Sequence, residues 1–156
     1  MHGLQFALSQ SQTHYGIHRL LPVLQRALAA LGAAPERDAS RVATSPLALE
    51  GAPDEVIDGT ERRRQRPTDA AQHKEPYSGK KKTPTDKNLL LVNEHTKKVV
   101  YLGPTVAGKT HDKKAADAAQ IGYPTNAPLG KDTGFQGYEP AGVLTRQPKK
   151  NPKARS

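Results

Sequence analysis

Glu55-Val56-Ile57-Asp58-Gly59-Thr60-Glu61 is the stretch on which the reading of this chain turns. A short apolar step runs into a carboxylate and a glycine, the pattern of a strand that ends at a functional edge. Downstream, Leu89–Val92 and Val99–Leu102 are β-prone runs separated by the polar turn Asn93–Lys98, which predicts a hairpin. His111–Gln120 is a short Ala-rich helix candidate, and Lys131-Asp132-Thr133-Gly134 sets a second carboxylate before a glycine. The order is strand with Asp58, hairpin, helix, Asp132.

Between strand and hairpin, Arg62–Lys87 is charged and contains proline. From Arg62 to Lys82, Arg62, Arg63, Arg64, Arg66, Lys74, Lys80, Lys81 and Lys82 stand against Asp69 and Glu75, a local charge of +6. Such a run holds phosphates with salt-sensitive affinity; taken alone it also reads as a solvated loop. The 156-residue chain carries +9 overall, from 24 basic and 15 acidic residues, which suits a polyanion partner, nucleic acid above all. Hydrophobic residues are 35% and aromatics 4%, so a core forms over part of the length only. Cysteine is absent, which excludes disulfides, Cys-based zinc sites and thiol nucleophiles. No apolar run approaches the roughly 18 residues of a membrane span, and a cytoplasmic protein is the expectation.

Upstream, Ile17, Leu20, Leu21, Leu24, Leu28 and Leu31 recur at helical spacing, with Ser9 and Ser11 as N-cap candidates. Pro22 predicts a kink or two short helices. His2–Leu8, Ser9–Ser11 and Thr13–Leu21 also fit helix, turn and second helix of a helix-turn-helix, leaving His14, His18 and Arg19 on a polar face for DNA. An ordinary amphipathic helix fits the same spacing. Residues 32–54, rich in Ala, Pro, Ser and Gly, read as a linker.

Four segments in order, Val56–Glu61, Tyr77–Lys82, Gly108–Lys114 and Asp132–Tyr138, resemble the successive motifs of bacterial insertion-sequence transposases of the Harbinger-like DDE superfamily endonuclease group. Ser9–Gln12 and Ile17–Pro22 resemble the helix-turn-helix segment that precedes that catalytic domain. The resemblance implies an incomplete RNase H-like α/β domain behind a partial helix-turn-helix. Its parts are a DNA-binding segment 1–31, linker 32–54, catalytic domain 55–145 and a disordered basic tail 146–156. It implies Asp58 and Asp132 as the first two catalytic aspartates, binding Mg²⁺ or another divalent metal for strand cleavage and transfer on DNA. Glu61, His111 and Asp112 are implied in support, Asp112 being equally readable as a helix N-cap. His18, Arg19, Arg62, Arg63, Arg64, Lys80, Lys81 and Lys82 are the implied DNA contacts. The family's third carboxylate, a glutamate on a later helix, has only Glu139 as a counterpart, seven residues after Asp132. The expectation is therefore a truncated or frameshifted chain, inactive alone, or a DNA-binding regulator or relic; it would pair with itself or with a full-length transposase. One rival motif, Gly103–Thr110, matches a phosphate-cradling Walker A loop, with Lys109 and Thr110 on phosphate and Mg²⁺. Only 46 residues follow Thr110, too few for the parallel strands such a domain needs.

Overall fold

The computed structural model describes residues 7–51, 54–64, 77–79 and 81–148. They fall into two units, residues 1–34 and 35–156.

Among its described residues the first unit has one helix, α1 (Gln10–Ala30). Ser9 is its N-cap in a capping box: the Ser9 hydroxyl accepts from the Gln12 N–H at 3.2 Å and the Gln12 side chain accepts from the Ser9 N–H at 2.9 Å. The expected break at Pro22 is absent, because the helix runs through it. Proline removes one backbone donor, and the turns on either side carry the chain past that gap. Ser11, expected in a turn, is helical, and the proposed first helix His2–Leu8 lies largely outside the described residues. Ser9→Ala should cost α1 about 1 kcal/mol, read as reduced 222 nm ellipticity of this segment. An unchanged signal would mean the box is decorative.

The second unit is mixed α/β. Its strands are β1 (Glu55–Arg63), β2 (Tyr77–Ser78), β3 (Thr83–Asn93), β4 (Val99–Leu102), β5 (Val106–Ala107), β6 (Pro128–Lys131) and β7 (Leu144–Arg146). They form a mixed sheet in the order β2-β3-β1-β6-β7, with β4 and β5 also on β3. β1 is antiparallel to β3 through nine rungs, from Glu55↔Asn93 to Arg63↔Thr85. On its other side β1 runs parallel to β6, and β6 parallel to β7.

The expected hairpin is present, but both arms of the β1–β3 pair are longer than the sequence suggested. β1 continues through Asp58 to Arg63, and β3 begins at Thr83. Arg62, Arg63 and Thr83–Lys87, read as part of a charged loop, are therefore strand. Cross-strand pairing supplies what their side chains do not advertise.

Alternation assigns the faces. Ile57, Leu89, Leu91 and Leu129 point to the covered side. There they meet Ala115 and Ala116 of α3 (Asp112–Ala119), together with Ile121, Phe135 and Tyr138. Leu47 and Ala48 of α2 (Pro46–Leu49) and Val42 join the same core. The stretch read as a linker is thus partly core. Glu36 bridges to Tyr101, Leu102 N–H donates to Glu36 O, and the Asn93 side chain donates to Glu50 O at 3.1 Å. The segment lacked a period because a 3₁₀ turn and a single turn of α-helix, too short to repeat, present its buried residues Val42, Ser45, Leu47 and Ala48.

Candidate functional site

Two carboxylates stand where the parallel pairing of β1 with β6 stops, Asp58 within β1 and Asp132 just past the end of β6. Ile57 and Lys131 are the last paired residues of the two parallel strands, so Asp58 and Asp132 are the next residue on each. Neighbouring strands lie about 4.8 Å apart, within bridging distance for two carboxylates. Both side chains are exposed, on or beside the face opposite the core. One oxygen of each is held by backbone: Asp58 Oδ1 by Gly59 N–H and Asp132 Oδ1 by Gly134 N–H, both at 2.8 Å. Asp132 also caps the 3₁₀ turn Thr133–Phe135, which fixes its rotamer. Beside it an open groove of about 520 Å³ is floored by Val56 and Gly130 and edged by Glu94 and Arg146.

Asp112 approaches from the covered side as the first residue of α3, where a negative charge suits the helix dipole. It is not the N-cap; His111 holds that position, exposed and without a side-chain capping bond. Asp112 Oδ1 accepts from Lys87 Nζ at 2.7 Å. A Cβ placed on Gly59 would lie 2.7 Å from Asp112 Oδ1, and one on Gly134 would lie 2.6 Å from its Oδ2 and 3.0 Å from Asp132 Oδ1. The carboxylate therefore sits between the two glycines that follow the paired aspartates.

Lys87 is the residue the sequence reading missed. Its side chain is 6% exposed, and besides Asp112 it reaches Thr110 O at 2.7 Å and Glu61 Oε1 at 3.5 Å. Glu61, expected near the site, is its cross-strand partner on the covered face. Burial pushes the Glu61 carboxyl up, while bonds from Ser78, Thr85 and Lys87 outweigh it and hold the group below its ordinary range. The available signal was period two: Lys87, Leu89 and Leu91 alternate inward.

Lys131, missed as well, is 1% exposed in its side chain and donates to Tyr138 O and Glu139 Oε1, both at 2.5 Å. Glu139 also accepts from Thr145, and the Lys131 bond, then the Thr145 bond, draw its carboxyl below the usual range. It is committed to the β6–β7 junction rather than to the aspartate pair.

Arg62 and Arg63 end β1, Arg64 pairs with Asp86 at 3.3 Å, and Lys81 and Lys82 are exposed in the turn before β3. They form a basic rim at the end of β1, about 15 Å along the strand from Asp58 at 3.3 Å per residue. Lys80 lies outside the described residues. His18 and Arg19 are exposed on α1, where Arg19 bonds the Tyr15 hydroxyl at 3.1 Å and the His14 and His18 rings lie 4.3 Å apart.

The Walker-like segment does not form a phosphate cradle. β4 and β5 are both antiparallel to β3, and Gly108 N–H donates to Thr85 O at 2.9 Å. A phosphate loop follows a central parallel strand and turns its N–H groups outward.

Among the described residues no group of three or more His, Asp and Glu is gathered as for a metal ion, and no helix is long and apolar enough to cross a membrane. Two carboxylates still fit a hard divalent cation that takes its remaining ligands from water and substrate phosphate. Neither curated proteins nor solved structures yield a match to the chain. A family model described as DDE superfamily endonuclease matches residues 57–155, a span that contains both aspartates and all of the sheet but the first two residues of β1. The chain belongs to the DDE superfamily endonuclease family.

Proposed function

We propose that this protein is a DNA transposase whose RNase H-like domain, residues 55–145, cleaves and joins DNA strands with Asp58 and Asp132 as its metal-holding pair. The observation that carries the proposal is the Ile57↔Lys131 register, which makes the two aspartates neighbours. Family membership supports a nuclease on DNA, and the oxygen-only donor set suits Mg²⁺ or Mn²⁺. Such an ion, when bound, stabilises charge on the phosphodiester oxygens. The chain's own residues do the rest. The backbone N–H groups of Gly59 and Gly134 fix the carboxylates. Arg62, Arg63, Arg64, Lys81 and Lys82, with Lys80, hold the phosphate backbone in a salt-dependent grip. Residues 1–31 supply a second DNA contact through His18 and Arg19, and the protein works in the cytoplasm on the element's terminal repeats and target DNA, paired with another copy or with a full-length transposase.

The test is thermal unfolding with Mg²⁺ or Mn²⁺. A site filled at a hundredfold excess over Kd stabilises the fold by about 2.7 kcal/mol. Asp58→Ala and Asp132→Ala should each abolish that protection; protection unchanged in both removes the site. A second reading, DNA binding without cleavage, is favoured by the basic rim standing, among the described residues, near a pair rather than a trio of carboxylates. A gel shift with and without Mg²⁺ separates the two: complex formation with no nicked product supports the regulator.

A further inference from the structure

We infer that Lys87 and Asp112 are positioning residues for the Asp58–Asp132 pair, acting as a wedge that sets the end of β6 against β1. The inference rests on the metal-holding role proposed for that pair. Three elements meet at the Asp112 carboxylate. Its Oδ1 lies against Gly59, the residue after Asp58 on β1. Its Oδ2 lies against Gly134, whose N–H holds Asp132. Its charge is anchored by Lys87 on β3, itself fixed by Thr110 O and Glu61. Side chains larger than hydrogen at 59 and 134 would fill the space the carboxylate occupies.

The electrostatics favour a fixed wedge over a mobile one. Lys87 and Glu61 are almost fully buried, and a charge removed from water keeps its partner far more stringently than a surface ion does. Asp112 is thereby held in one rotamer, and with it the separation of the glycines on either side. Outer partners that orient metal-holding carboxylates usually change metal affinity 10- to 100-fold when lost.

Two variants test this by Mn²⁺ titration of the full chain, with free Mn²⁺ read by electron paramagnetic resonance and urea unfolding run in parallel. Gly59→Ala alters no charge, keeps the N–H that binds Asp58, and places its methyl nearest to Asp112. It should weaken Mn²⁺ binding by the folded protein about tenfold. Lys87→Gln gives the sharper sign. Coulomb attraction alone, or direct ligation by Asp112, makes Mn²⁺ bind more tightly once the ammonium is gone; loss of positioning makes it bind more weakly. Weaker binding in both variants supports the wedge. Unchanged binding in Gly59→Ala, or tighter binding in Lys87→Gln, overturns it even where stability falls. Wild-type protein that binds no Mn²⁺ refutes the metal pair itself and the wedge with it, whereas binding lost in Asp58→Ala and kept in Gly59→Ala refutes the wedge alone.

Discussion

Glu55→Gln is expected to stabilise the domain by about 3 kcal/mol at pH 8 and to leave it nearly unchanged at pH 4. Glu55 starts β1 on the covered face, fully buried between its rung partners Asn93 on β3 and Leu129 on β6. Neither carboxyl oxygen has a hydrogen-bond partner among the described residues. Burial pushes its pKa from 4.5 to about 7. A carboxyl whose folded pKa is raised binds its proton more tightly folded than unfolded. Its contribution to stability is therefore complete below pH 4.5 and is lost as pH rises through about 7. At 1.36 kcal/mol per unit, that shift amounts to about 3 kcal/mol. Glutamine keeps the shape and stays neutral, so it removes the loss at high pH. Glu61, Glu139 and Asp38, all drawn downward, contribute with the opposite sign, gaining as pH rises through the acid range. The wild-type profile is a sum of both kinds. The difference between wild type and Glu55→Gln, measured by urea unfolding from pH 4 to pH 8, isolates Glu55. A flat difference would mean the carboxyl finds a partner or water on ionising.

Much of the sheet was legible because pattern and pairing agree in it. Leu89–Val92 and Val99–Leu102 announce the hairpin by composition, and the structure pairs Leu90 with Leu102 and Leu91 with Tyr101. The helix expected over His111–Gln120 was visible from its alanines and runs from Asp112 to Ala119, whereas Asp58 and Asp132 stood out by the family resemblance more than by the glycines beside them. What escaped is long-range. Lys87 reads as one more cation in a basic run until Glu61 and Asp112, 26 and 25 residues away along the chain, close around it. Leu47 and Val42 belong to no periodic segment, so their burial depends on the sheet existing first. Pro128-Leu129-Gly130-Lys131 has weak strand propensity, and β6 forms because β1 and β7 pair it on both sides. Glu55 carries no sequence mark of burial; its place between two other strands makes it a core residue.

Gly108→Ala should destabilise the domain by about 3 kcal/mol, and the reason bears on what the Gly103–Thr110 motif is for. A Cβ on Gly108 would stand 1.7 Å from Thr85 Oγ1 and 2.9 Å from Thr85 O, closer than any real contact allows. Relief requires β5 to leave β3, breaking the Gly108 N–H bond to Thr85 O, or Thr85 to rotate away from Glu61, which its hydroxyl bonds at 3.1 Å. Overpacking of a filled site costs about 1–3 kcal/mol, and a lost hydrogen bond on a buried partner about 1 kcal/mol more. Chemical denaturation checks the magnitude. A double-mutant cycle with Thr85→Ala checks the cause, because removing Oγ1 should recover part of the loss and give a coupling of about 1 kcal/mol or more. Additive effects would mean the strain lies elsewhere. Were this glycine part of a phosphate cradle, its replacement would cost nucleotide binding and little stability, and ATP would raise the wild-type unfolding midpoint. With Gly108 packed on Thr85 in the sheet, the reverse is expected. The smallness of residue 108 is set by β3, and through Thr85 and Glu61 by the same buried cluster that anchors Lys87, so crowding Gly108 should also weaken Mn²⁺ binding at the aspartate pair.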